Sequence, residues 1–261
     1  MIETTPNYME IFKFSYKKSI IENLESTANQ NLTLFEDSIR EAIKKFEKKH
    51  NKYCTKISVI SEELEKIEDS ESEDNFNLQQ KKHELYGKQG DYYVECHWLN
   101  EQLKSLSEMQ IINAFKNVEI NIKEMLNIAY PKLSLKDFYR WESLEQFFKS
   151  KNIKLSVLEG YKEILDLKNL NNTLKHNGLL NENIKKIEEF KDDEEFNFVN
   201  IINFYERVKS QIPIFLNRLA KEIENDLFNF DEERIEQIAK DLKQRMDQKD
   251  LKLLREKLAV N

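Results

Sequence analysis

SIREAIKKFEKKHNKYCTKISVISEELEKI, residues 38 to 67, places a large apolar side chain at every seventh position: Ile39, Phe46, Tyr53, Ile60 and Ile67. Ile43, His50, Ile57 and Leu64 form a second set offset by four. Together they make the a/d seam of a heptad helix, a stripe that must be covered by another helix. A second seam follows, with Leu78, Leu85, Tyr92, Leu99 and Leu106 at one position and Cys96 and Leu103 at the other. Glu68 to Asn77 (EDSESEDNFN) separates the two; it is too acidic and polar to bury a face and reads as a connection. Folding the chain back there pairs positions whose numbers sum to 145, so Ile67 meets Leu78, Ile60 meets Leu85, Tyr53 meets Tyr92, Phe46 meets Leu99 and Ile39 meets Leu106. The spacing therefore predicts an antiparallel helical hairpin, each arm on the order of 50 Å long at ~1.5 Å per residue.

Downstream of Leu106 the stripe shifts to Ile111, Phe115, Val118, Ile122 and Met125 or Leu126, and Pro131 ends it. Ser134 with Asp137 suggests a helix start ahead of Phe138, Trp141, Leu144 and Phe148. Another helix is predicted from near Ser156 through Leu174, stopping at His176, Asn177 and Gly178. Phe198, Ile201, Ile202, Tyr205 and Val208 predict a further helix, with Pro213 as a kink or break, and Asp231 opens a last one carrying Ile235, Ile238, Leu242 and Met246. The expected organisation is a hairpin segment over 1–106 with its turn near 68–77, a helical bundle over 107–228 and a helical tail over 229–261.

Composition agrees with an all-α chain. Of 261 residues only four are Gly and three Pro, too few for the turns of a sheet protein. No apolar run spans a bilayer and no leader with an apolar core opens the chain, so a cytoplasmic location without membrane contact is expected. Two cysteines do not make a disulfide framework. With 41 Lys and Arg against 48 Asp and Glu the formal charge is −7, which excludes a general nucleic-acid coat. Residues 132–178 run against that trend, with nine Lys or Arg and six Asp or Glu, a surplus of three. The basic run Lys44, Lys45, Lys48, Lys49 and Lys52 alternates with Glu41 and Glu47 as a solvated helix face does. Phosphate-loop, dinucleotide, zinc-protease and serine-hydrolase signatures are absent from the sequence.

The most distinctive polar stretch is LNNTLKHNG, residues 170 to 178. Asn172 and His176 are four apart and share a helix face, with Lys168 one turn back. A His beside an amide and a cation is the minimal set for proton transfer at a phosphodiester. In its setting near the end of a bundle helix this stretch resembles the signature of the HEPN superfamily, in which an Arg and a polar residue precede a His. Leu170, Asn172, Leu174, His176, Asn177 and Gly178 carry the match, and FKNVEINI, residues 115 to 122, resembles the acidic-centred first helix of such bundles through Glu119. The resemblance covers roughly 107–225. It implies a HEPN-like four-helix bundle, a homodimer with facing motif helices, and a role as RNA-binding protein or metal-independent endoribonuclease of a toxin-antitoxin or phage-defence type. His176, Asn172 and Asn171 would be the motif residues, with Lys168 and Lys175 as RNA-binding cations and no cofactor. Asn171 stands where the family has Arg, and an amide supplies neither the charge nor the fork of a guanidinium. Asn171→Arg would be expected to restore it.

The same register offers a metal set, since His50 and Cys54 are four apart and Cys96 and His97 fall opposite them. Cys and His are zinc's preferred ligands. Seam positions also accommodate a small thiol or a register-setting polar group, and His97 should point away from its neighbour Cys96, so no metal is expected. The competing functional reading is a non-catalytic helical scaffold that uses the hairpin to pair with a partner protein or with itself.

Overall fold

The computed structural model describes residues 8–30, 33–68, 76–134, 136, 138, 140–176 and 178–259. Every regular element among them is helical: α1 (Tyr8–Ala28), α2 (Thr33–Glu68), α3 (Phe76–Ala129), α4 (Trp141–Ser150), α5 (Tyr161–His176), α6 (Phe198–Val208), α7 (Gln211–Phe228), α8 (Glu232–Arg245) and α9 (Gln248–Ala259). Short 3-10 turns at Leu155–Val157, Ile184–Lys186 and Glu188–Phe190 join some of them. The chain divides into two compact units. One takes Asn31–Glu119 and Gly160–Ile212; the other takes Met1–Gln30, Ile120–Glu159 and Pro213–Asn261. Residues 107–228 are thus shared between the two.

The first unit is built on the antiparallel α2–α3 pair. Its register is the one the heptads predict: the Tyr53 and Tyr92 rings lie 5.6 Å apart. Ile60, Leu64 and Leu85 form one buried layer, with Ile67 and Tyr92 packed against it, and Ile39, Ile43 and Leu103 form another with Phe46, Leu106, Phe198 and Ile202. Across the exposed edges Lys81 pairs with Glu63 at 2.6 Å, Lys82 with Glu68 at 3.0 Å, and Gln89 donates to Ser61 at 2.8 Å. Exposed ion pairs of this kind add little. Burial of the seam holds the arms together, at ~25 cal/mol per Å² of apolar surface. The expected turn at 68–77 lies, beyond Glu68 and before Phe76, outside the described residues.

Around α5 and α6 the same unit closes a second core on Ile164, Leu167, Leu170, Phe190, Phe196, Ile201, Phe204 and Val208, all buried. Phe190 meets Phe196 edge-on at 5.6 Å and Phe204 at 5.8 Å. Asn197 caps α6, its side chain accepting from the Asn200 N–H at 2.9 Å.

The second unit buries Ile122, Met125 and Leu126 from the end of α3 together with Trp141, Leu144, Phe148, Phe215, Leu219 and Ile223. Tyr130 donates to Asp226 at 2.7 Å. Burial, then this bond to a carboxylate, holds the Tyr130 phenol well above its ordinary range. Arg234 of α8 donates to the Asn225 and Asn229 carbonyls at 3.2 and 2.6 Å, fastening the start of α8 to the end of α7, where the Asn225 carbonyl also accepts the Asn229 N–H.

Several element limits differ from the sequence reading. α4 opens at Trp141 with Arg140 at its cap and no side-chain capping bond, so Ser134 does not start it; Asp137 lies outside the described residues. The chain before α5 makes a 3-10 turn at Leu155–Val157, and the helix begins only at Tyr161. The break expected at Pro213 falls at Lys209 and Ser210, between α6 and α7: Pro213 sits in the first turn of α7, where its missing N–H has no helical partner to lose and its ring excludes helix at the carbonyl four residues back. α8 opens on Asp231 as expected, the carboxylate accepting from the Arg234 N–H at 2.8 Å. The expected helical tail over 229–261 is two helices, α8 and α9, and α1 lies in the N-terminal segment where no helix is predicted.

Candidate functional site

α5 carries the LNNTLKH stretch and ends as its residues require. The Gly178 N–H donates to the Thr173 carbonyl at 2.9 Å, and Gly178 takes φ +59°, a left-handed conformation that favours glycine. Asn181 folds back over this end, donating through Nδ2 to Thr173 Oγ1 at 3.1 Å while its Oδ1 accepts from the Asn183 and Ile184 N–H groups. A sharply stopped helix thus presents its last turn to solvent. Asn172, Lys175 and His176 are exposed there, and Lys168 is half-buried. Asn177 lies outside the described residues.

Asn171 behaves differently from its neighbours. It is 1% exposed, on the core side of α5 with Leu167, Leu170 and Ile164. Its Nδ2 donates to Asn172 Oδ1 at 3.1 Å, and its own Oδ1 has no hydrogen-bond partner among the described residues. The residue in the arginine position therefore points away from the His176 face, as five residues of helix dictate: 500° of turn leaves the two side chains ~140° apart. The Asn171→Arg restoration expected from the motif would send a guanidinium into the core.

Beside α5 lies a charged cluster that no motif announced. Arg207 of α6 forms a two-pronged bond to Glu189 at 2.6 and 3.0 Å and approaches Asp166 of α5 at 3.7 Å. Burial alone would raise Glu189, but the Arg207 hydrogen bonds, a backbone hydrogen bond and the Arg207 charge together outweigh it and hold the carboxyl below its usual value. Burial pushes Asp166 up, with Arg207 offsetting part of the effect. These three residues come from separate segments, so only the folded chain brings them together.

The hairpin seam holds the third cluster. Cys54 Sγ is 3.7 Å from both ring nitrogens of His50 and 3.8 Å from Cys96 Sγ. Burial, with Cys54 alongside, pushes the Cys96 thiol up to about 11. His50 turns its ring edge to Phe198 at 5.9 Å. His97, the fourth residue that the register places near, is exposed and lies against Trp98 at 5.7 Å, away from the seam.

On the opposite side of α3 the exposed residues are unusually apolar. Tyr93, Val94 and Trp98 are 56% to 60% exposed there, and Tyr86, 48% exposed at the edge of that face, donates its hydroxyl to Glu68 of α2 at 3.0 Å; they follow one another around Gly87 and Gly90 at helical spacing. A Cβ added at either glycine would meet nothing within 4 Å. No helix among the described residues is long and apolar enough to cross a membrane. No family model, curated protein or solved structure matches the chain.

Proposed function

We propose that the chain is a non-catalytic helical scaffold that pairs with a second copy of itself through the face of α3 opposite α2. What supports this reading is the self-complementary order of that face. In an antiparallel pairing about position 92, Val94 of one copy falls on Gly90 of the other, His97 on Gly87, and Trp98 on Tyr86. Large residues then meet positions without a side chain, the knob-into-hole condition for close helix packing. An isologous contact of this kind closes on itself as a dimer. Light scattering on the full chain at tens of micromolar should report a dimer, and Trp98→Glu should return it to a monomer. Gly90→Leu separates docking from folding, since a side chain there has room in the free chain and removes a helix penalty of ~1 kcal/mol, yet fills the hole the partner needs. A monomeric native chain, or a Trp98→Glu variant that remains dimeric, would overturn the assignment.

A second reading is favoured by the exposure of Asn172, Lys175 and His176 together at the end of α5. With the HEPN resemblance, it makes the chain a homodimeric HEPN-like protein of a toxin-antitoxin or phage-defence type that contacts RNA with this face. Asn171 argues for contact without cleavage, because the motif's arginine position holds an uncharged amide and is turned into the core. Anisotropy of a labelled single-stranded RNA should fall for Lys175→Ala and His176→Ala relative to the native chain; equal binding by all three sinks this reading.

A further inference from the structure

The structure assigns a zinc site to His50, Cys54 and Cys96 in the seam between α2 and α3. The three residues each offer one ligand atom, and all three atoms lie within 4.8 Å of one another. The two separations made by Cys54 match the metal's demands, and the third, from Cys96 to His50, lies within 4.8 Å. Two thiolates each ~2.3 Å from zinc at a tetrahedral angle are ~3.8 Å apart, and a thiolate and an imidazole nitrogen ~3.6 Å apart. The observed distances are 3.8 Å between the sulfurs and 3.7 Å from Cys54 to His50. Ordinary seam packing brings side chains close, but it does not select the three soft or borderline ligands a zinc site needs.

Backbone and charge favour the same assignment. His50 and Cys54 are successive turns of one helix face, and Cys96 is fixed opposite by the register that Tyr53–Tyr92 and Ile60–Leu85 set, so the ligands sit on rigid elements rather than loops. Zinc with two thiolates and one neutral imidazole sums to zero charge, which a half-buried seam tolerates far better than a lone cation. His50 and Cys54 are only partly buried, leaving an approach for the ion and room for water as fourth ligand. Binding forms two Zn–S bonds and one Zn–N bond and releases the two thiol protons to solvent; nothing is oxidised or reduced. The metal would tie α2 to α3 at mid-hairpin, independently of either functional reading above.

The test uses the full chain reduced with a phosphine and freed of metal. Titration with Co²⁺ should saturate at one ion per chain, with the intense visible bands of a tetrahedral ion and a near-ultraviolet thiolate charge-transfer band. Zn²⁺ should displace it stoichiometrically and raise the melting temperature. Cys54→Ser and Cys96→Ser should each weaken the charge-transfer band and the affinity, and His50→Ala should cost at least the ~10- to 100-fold typical of losing even an outer partner. His97→Ala and His83→Ala should change neither. A weak octahedral Co²⁺ spectrum without charge transfer, or Zn²⁺ affinity retained in the Cys54→Ser/Cys96→Ser double variant, would overturn the site. So would quantitative Cys54–Cys96 disulfide formation in air that excess Zn²⁺ does not prevent.

Discussion

At Asn171 and Arg207 single side chains decide what α5 can do. Asn171 lies in the core with a carbonyl oxygen that has no partner among the described residues, a polar burial that typically costs ~1 to 3 kcal/mol. Asn171→Leu should therefore raise the unfolding midpoint in urea. Asn171→Arg should lower stability by about 3 kcal/mol or more, since it buries a charge with no partner, and should confer no RNA cleavage. Equal stability of the native and Arg chains would show that residue 171 reaches solvent. The ion cluster gives a pH signature. Glu189 sits below its usual pKa, so its contribution is present above the unfolded value of ~4.3 and is lost as pH falls through the folded value. Asp166 sits above its usual value and works in the opposite sense, its neutral form being favoured on acidification. Arg207→Ala should cost ~1 to 3 kcal/mol at pH 7, at the lower end because Arg207 is itself partly solvated, and the difference should shrink toward pH 3 as Glu189 is protonated. A deficit that stays constant across that range in thermal melts would assign the loss to packing over Phe204 instead of charge.

The hairpin is the element that the residues specify most completely, because two seams of matching period, joined by a short connection, bury each other along their whole length. Ile60→Asp should destabilise the arms by roughly 3 kcal/mol or more, because it puts a carboxylate into the apolar layer with Leu64 and Leu85. Retention of native helix content and midpoint by that variant would mean the layer is wet. The seam also made His50, Cys54 and Cys96 legible as neighbours before any coordinates, and adjacency to Cys96 made His97 legible as an outsider. The starts of α4 and α5 were not legible in the same way. α4 has no capping side chain and ends on Asn152 in the left-handed region, φ 60°, where the Ile153 N–H reaches back to the Phe148 carbonyl at 2.9 Å, a stop usually signalled by glycine. α5 is preceded by a 3-10 turn in which Val157 keeps the seven-residue spacing to Ile164 yet is exposed, so the apolar stripe runs on in the sequence past the start of the helix. The Asp166–Arg207–Glu189 cluster escaped for a third reason: its members are 18 and 41 residues apart, with no period linking them.

For the whole molecule, electrostatics separates the two functional readings by sign. Each copy carries a formal −7, so two copies repel weakly, while the stripe proposed to join them consists of Tyr86, Tyr93, Val94, Trp98 and two glycines without a formal charge. Added salt screens the repulsion over a Debye length of ~10 Å at 0.1 M and ~3 Å at 1 M, leaving apolar burial untouched, so self-association should hold or tighten modestly as salt rises. RNA contact depends on released counterions instead. Each phosphate neutralised contributes a slope of ~−0.7 in log affinity against log salt for a single strand. With Lys168 and Lys175 as the cations, a tenfold rise in NaCl should weaken RNA binding ~25-fold. Sedimentation of the chain alone and RNA anisotropy across the same salt series measure both slopes on one preparation. A dimer that dissociates steeply with salt would remove the aromatic face as its cause, because Tyr93, Val94, Trp98 and the two glycines carry no charge. RNA affinity flat in salt would equally remove the lysines of α5 as the contact.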